Sequence, residues 1–287
     1  MPGARRGFAD VRDGQVHYWQ MGAARAGQVP LLLLHPSPGS ARMLLPLMAL
    51  LAPGRRVIAL DTRGNGDSTP LAIAEPTIAD FAQATLDALD VLGVGRFDLF
   101  GSHTGASIAM EVAILAPERV RRLIIDSMGL WSSSRRDEHL AKNSPEIKPD
   151  LIGGQFNWAW HYCRDQYLFW PWYDRSDSAR LPGGLPDPDT LHEFVVEVLK
   201  ALTTYHMSYR AAASHPKRDR LPLIRTPTLV TSAQDDALFR YLDEVRSLVP
   251  NAECRWVKAS RTPEGLADAA AIYADFLNGP GTNGSVP

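Results

Sequence analysis

The chain has 287 residues, 45% of them hydrophobic and 22% charged, with 30 Lys and Arg against 32 Asp and Glu for a formal net charge of -2. Such a balance belongs to an ordinary globular protein and supplies no surplus positive charge for a polyanion, so no nucleic acid partner is expected. No apolar run reaches bilayer-spanning length and the start MPGARRGFAD has no apolar signal core, so the expectation is a cytoplasmic protein without a membrane partner.

Cys163 and Cys254 stand far apart in a chain long enough to bury its own core, and both read as reduced packing residues. Neither C-x-x-C nor H-E-x-x-H spacing occurs among them and the eight histidines. No metal and no cofactor is therefore expected.

Short apolar runs alternate with longer amphipathic stretches through the first half, the pattern of strands and crossover helices in a doubly wound parallel sheet. Residues 15–20 read as an early antiparallel strand. Leu31 to Leu34 is a continuous apolar run, hence a buried strand, followed by the loop His35-Pro-Ser-Pro-Gly-Ser40 and a helix over 41–51. Residues 56–60 form the next strand and run into the turn Asp61-Thr-Arg-Gly-Asn-Gly-Asp-Ser68. Helical spacing follows over 77–92, then strands at 97–100 and 123–125 separated by a helix at 106–115.

From about Leu130 to Arg220 the alternation stops. This stretch carries several prolines and an aromatic segment from Phe156 to Tyr173 that holds four of the seven tryptophans. Alternation then resumes with a strand at 228–231, a helix at 237–248, a strand at 254–257 and a helix at 263–277. The division expected is a core of 1–130 and 221–279, an inserted helical lid of 131–220 over the carboxyl ends of the strands, and a disordered tail of 280–287.

The sharpest local signal is Gly101-Ser102-His103-Thr104-Gly105, lying between a strand and a helix. Glycines flanking one residue at such a turn let the backbone bend sharply and present that residue's side chain at the carboxyl edge of the sheet. With the His35 loop, the D-x-R-G-x-G-x-S turn, the insertion and the run Thr226 to Asp235 in the same order, the chain resembles the α/β-hydrolase superfamily over about residues 12–277. The resemblance implies an eight-stranded, mostly parallel sheet with a helical lid. The family's nucleophile would sit at the middle of the elbow, where this chain has His103, and its histidine would follow the last strand, where this chain has none after His215. Asp235 stands at the family's acid position with Asp236 beside it. Backbone N–H groups of Ser37 and Thr104 are the implied oxyanion hole.

An imidazole presented beside an oxyanion hole suits proton abstraction or water activation next to a carbonyl. The expected activity is cofactor-free hydrolysis of an ester, lactone or carbon–carbon bond in a small apolar carbonyl compound, with His103 as general base. Lyase, cyclase or cofactor-free oxygenase chemistry and a catalytically inactive small-molecule binding protein stand as alternatives. Asp235 and Asp126 are the candidates for orienting His103, and Trp158, Trp160, His161, Arg164 and Trp170 either wall a substrate pocket or simply form lid core. His35 reads as a brace, and Asp61 with Arg63 as a charged staple of their loop.

Overall fold

A computed structural model describes residues 3–259 and 262–279; the expected tail of 280–287 lies outside the described residues. Its strands are β1 (Arg5–Val11), β2 (Gly14–Met21), β3 (Leu31–Leu34), β4 (Val57–Leu60), β5 (Phe97–Ser102), β6 (Val120–Asp126), β7 (Thr228–Ala233) and β8 (Glu253–Val257). They form one sheet in the order β1-β2-β4-β3-β5-β6-β7-β8. β1 and β2 pair antiparallel, β2 meets β4 antiparallel, and every other pairing is parallel. This is the α/β-hydrolase fold.

The helices of the core are α1 (Leu45–Leu51), α2 (Ile78–Val91) and α3 (Thr104–Leu115). Between β6 and β7 come α4 (Ser133–Asn143), α5 (Gly154–Asp165), α6 (Pro188–Ala201), α7 (Tyr205–Ser214) and the single turn α8 (Lys217–Arg220), and the chain closes with α9 (Leu242–Leu248) and α10 (Pro263–Asn278). Both faces of the sheet are covered. Leu32 and Leu34 of β3 join a core that α2 and α3 complete, whereas Leu31 and Leu33 join the opposite core with α1 and α10. Since successive strand residues point to opposite faces, a strand buried on both faces must be apolar throughout, which accounts for the four consecutive leucines.

Local signals set the element boundaries. Thr77 accepts from the Asp80 N–H while Asp80 accepts from the Thr77 N–H, a reciprocal cap that starts α2 where the periodicity begins. The helix expected over 41–51 is two pieces, a 3-10 turn at Ala41–Leu44 and then α1, with Pro46 in its first turn. The insertion carries its own apolar cluster of Ala159, Tyr162, Cys163, Trp172, Leu191, Val198 and Leu202.

Candidate active site

β5 ends at Ser102 and α3 begins at Thr104, so His103 carries the whole reversal, at φ 55 and ψ -111. That is a costly conformation for a residue with a Cβ, and such strain persists only where surrounding structure fixes it. Glycines on both sides make it possible. A Cβ on Gly101 would strike the carbonyl of Gly105, and one on Gly105 would strike the carbonyls of Leu34 and His35. The start of α3 is thereby pressed against the end of β3, which brings the His35 loop beside the elbow.

The imidazole is held at both nitrogens. Nε2 lies 3.0 Å from Asp236 Oδ2, and Nδ1 lies 2.9 Å from Ser102 Oγ. The carboxylate that meets the ring comes from the loop after β7 and is Asp236, the second of the Asp235-Asp236 pair; Asp235 is exposed. The backbone decides between them: Asp236 donates its N–H to the Ala233 carbonyl in a tight turn and accepts the Leu238 N–H on Oδ1, which turns its other oxygen toward His103. Burial raises the Asp236 carboxyl, but the His103 ring, the Leu238 N–H and Ser127 together outweigh burial and hold it below the usual carboxylate range.

Asp126 reaches the same histidine indirectly. Ser102 and Asp126 are partners in the β5–β6 register and Asp126 and Thr231 in the β6–β7 register, so three side chains line up across adjacent strands. Ser102 Oγ is 2.9 Å from Asp126 Oδ2, while Thr231 Oγ1 at 3.0 Å and the Tyr273 hydroxyl of α10 at 3.2 Å donate to Asp126 Oδ1. Burial is the dominant influence on this carboxyl and holds it above the usual range despite the nearby His103.

On the other side of the elbow, Ser37 Oγ donates to Asn65 Oδ1 at 2.9 Å and sits 2.9 Å from Ser208 Oγ of α7. Asn65 Nδ2 donates to the same Ser208 hydroxyl at 3.2 Å, which ties the His35 loop, the Asp61 turn and α7 together. Thr104, as the first residue of α3, has no intrahelical acceptor for its N–H. His35 is a brace: its Nδ1 bonds the Pro36 carbonyl and its Nε2 accepts the Thr62 N–H at 3.0 Å. Burial lowers its pKa, in keeping with a neutral ring that donates at one nitrogen and accepts at the other.

Asp61 and Arg63 do staple their loop, but not to one another. Asp61 accepts from His17 Nδ1 and from the Ala41 and Asp67 N–H groups, while Arg63 pairs with Asp13 at 2.8 Å and bonds the Thr69 and Pro70 carbonyls. Among the described residues, His17, Asp61 and Asp67 form a group whose ligand atoms lie within 4.8 Å of one another. Sequence spacing hides this group, since β2 and the turn after β4 supply its members. Asp61 already accepts three hydrogen bonds, so the group reads as a hydrogen-bonded staple rather than an ion cage.

The five residues considered as a pocket wall separate. Trp158 stacks on Tyr162 with ring centroids 4.8 Å apart and also meets Trp172 and Tyr205, inside the insertion's own core. Trp160 is 43% exposed. Arg164 and, at 3.7 Å, His161 pair with the buried Asp165, and the backbone N–H of Trp170 donates to the Ala179 carbonyl. A cavity of about 410 Å³ lies elsewhere, between the β1–β2 hairpin and α6, lined in part by Arg6, Trp19, Ser40, Arg42 and Glu197.

The profile of the alpha/beta hydrolase fold family matches residues 29–171. A protein of Variovorax paradoxus (strain S110) named "Putative carbamate hydrolase RutD" is 36% identical over 265 residues, covering 90% of this chain and 86% of the relative. A protein of the same name from Azorhizobium caulinodans is 28% identical over 83% of this chain and 82% of its own. The crystal structure of the enol-lactonase from Burkholderia xenovorans LB400 superposes with a TM-score of 0.71 at 21% identity, covering 94% of this chain and 99% of that one.

Proposed function

The chain belongs to the α/β-hydrolase superfamily and is a hydrolase-like enzyme, and from that premise we propose that it cleaves a small, largely apolar ester, lactone or carbamate with water activated at the hydrogen-bonded His103–Asp236 pair. The observation that carries the proposal is the imidazole presented on the strained elbow with its Nε2 at 3.0 Å from a carboxylate that faces no other cation at that distance among the described residues. His103 is 38% exposed at its side chain and Asp236 12%, so solvent and substrate reach the pair.

The hydrogen-bonded His103–Asp236 pair acts as one base. It takes a proton from water as the water oxygen attacks the carbonyl carbon, and the oxyanion that forms is met by the N–H groups of Ser37 and Thr104. The brace of Ser37, Asn65 and Ser208 keeps the first of these in place. The insertion of 131–220 serves as the lid, with α7 seated on the Ser37 loop. The carbamate class enters from the names of the two relatives and the lactone class from that of the structural neighbour.

The test is a panel of p-nitrophenyl esters, simple lactones and carbamates assayed with the parent and with His103→Ala. Turnover that His103→Ala lowers by about a hundredfold or more supports the reading, since general base catalysis contributes factors of that order. Turnover that survives the substitution overturns it.

A further inference from the structure

Three hydrogen bonds link four groups in a row: Ser102 Oγ lies 2.9 Å from both Asp126 Oδ2 and His103 Nδ1, and His103 Nε2 lies 3.0 Å from Asp236 Oδ2. Each needs one hydrogen. Ser102 brings one and a neutral imidazole brings one, so the row holds a third proton, either on Asp126 or as the second proton of the ring. We propose that Asp126, through Ser102 and His103, is the proton source for the leaving group in this reaction, an inference that rests on the hydrolytic reading above.

The step balances without any further reactant. As the carbon–oxygen bond to the leaving group breaks, the Nε2 proton of His103 passes to the departing oxygen. The Ser102 hydroxyl proton moves to Nδ1, and the Asp126 proton moves to Ser102 Oγ. Asp126 is left as the carboxylate, Ser102 is again a hydroxyl, and the ring is neutral with its proton on Nδ1. Asp236 has meanwhile taken the proton of the attacking water, and it now faces the bare Nε2. Passage of that proton to Nε2, with the reverse shift along Ser102 to Asp126, restores the starting row.

Position supports this order of events. The groups that face Asp126 are Ser102 from β5, Thr231 from β7, Tyr273 from α10, and the His103 and Asp236 pair beyond Ser102. Thr231 and Tyr273 both donate to Oδ1, so Oδ2 is the oxygen left to hold a proton toward Ser102. Burial favours the protonated carboxyl, as its raised pKa reflects. Ser102 and Asp126 are thus positioning residues that act through His103. The row also assigns a purpose to the serine beside the elbow tip, which a lone base would not require.

The experiment compares two esters of one acid, a p-nitrophenyl ester whose leaving group departs without a proton and an ethyl ester whose leaving group needs one. Asp126→Asn keeps the same shape and still bonds Ser102, Thr231 and Tyr273 but has no proton to give, and Ser102→Ala cuts the row. In both variants the ratio of ethyl to p-nitrophenyl turnover should fall about tenfold or more, a selectivity a purely structural role does not produce. Equal loss on both esters, or an unchanged ratio, overturns the proposal. If the parent turns over neither ester, or if turnover survives His103→Ala, the hydrolytic reading has failed, and nitrogen-15 NMR of the His103 ring decides the relay separately. An unprotonated Nδ1 in the resting parent supports the row as drawn, and a protonated Nδ1 overturns it.

Discussion

At the scale of single residues, the site turns on which of two adjacent aspartates meets the imidazole. Asp236 is held below the usual carboxylate range because the His103 ring, the Leu238 N–H and Ser127 together outweigh its burial, so it stands as a carboxylate ready to take the proton of the attacking water. Replacing Asp236 with Asn removes that acceptor. The acidic limb of the pH–rate profile, which reports protonation of the pair, should move to lower pH while kcat/KM falls by about a hundredfold. The same change at the exposed Asp235 should leave both within about twofold, and a loss at Asp235 equal to that at Asp236 would reverse the assignment. Ser102 makes a second residue-scale prediction. The residue is buried, with its Oγ enclosed between His103 Nδ1 and Asp126 Oδ2, so a substrate carbonyl has no approach to it. A fluorophosphonate probe should leave the intact mass unchanged; a stoichiometric adduct on Ser102 would make it the attacking group.

Elements show where local sequence carries structure and where it does not. α2 is legible because its apolar spacing and its Thr77 cap agree, and β3 because four leucines in a row fit only a strand covered on both faces. β1 is not, because this edge strand is mostly exposed and is completed by pairing with β2 rather than by its own pattern. The elbow is legible as a turn, since Gly-x-His-x-Gly announces a backbone reversal. Its lateral neighbours are not, because alignment of Ser102, Asp126 and Thr231 depends on the register of three strands distant in sequence. A shift of one residue likewise separates Asp235 from Asp236, and only the turn after β7 resolves it. The aromatic run from 156 to 173 is ambiguous in sequence for a related reason: it builds a separate core, in which Trp158 and Trp172 pack on Tyr162 and the Trp172 indole N–H donates to Asn143 at 2.6 Å. Trp158→Ala should therefore cost about 3–5 kcal/mol, with Trp160→Ala within about 0.5 kcal/mol of the parent, in urea titrations. Comparable losses for the two would mean that Trp160 is covered in solution.

Across the whole molecule, the chemistry lies at the carboxyl edge of the sheet and a buried charged cluster at its amino edge. His103, Asp126 and Asp236 follow or end the parallel strands, whereas Asp98 sits at the beginning of β5 and is fully buried. Arg55 Nη1 at 3.1 Å and Arg121, with Nε at 2.9 Å and Nη2 at 2.6 Å, bond the Asp98 carboxylate, and both arginines reach on to the end of α10, to Asn278 and to the Leu277 carbonyl. Burial outweighs the two guanidinium groups and holds the Asp98 carboxyl above its usual range, so the cluster is not a large net source of stability when intact. Breaking it is another matter. Asp98→Ala would leave Arg55, itself nearly inaccessible, without its anion, and removal of one partner from a buried pair costs about 3–5 kcal/mol. The urea midpoint should fall accordingly. Because the β5 backbone between Asp98 and Ser102 is held by β3 and β6 on its two sides, the elbow should survive wherever the sheet stays folded. Folded Asp98→Ala, assayed well below its unfolding midpoint, should keep kcat/KM and the ethyl to p-nitrophenyl ratio of the parent. A change in that ratio at full occupancy of the folded state would show that strain at the amino edge of the sheet reaches His103, and the separation of the two edges would not hold.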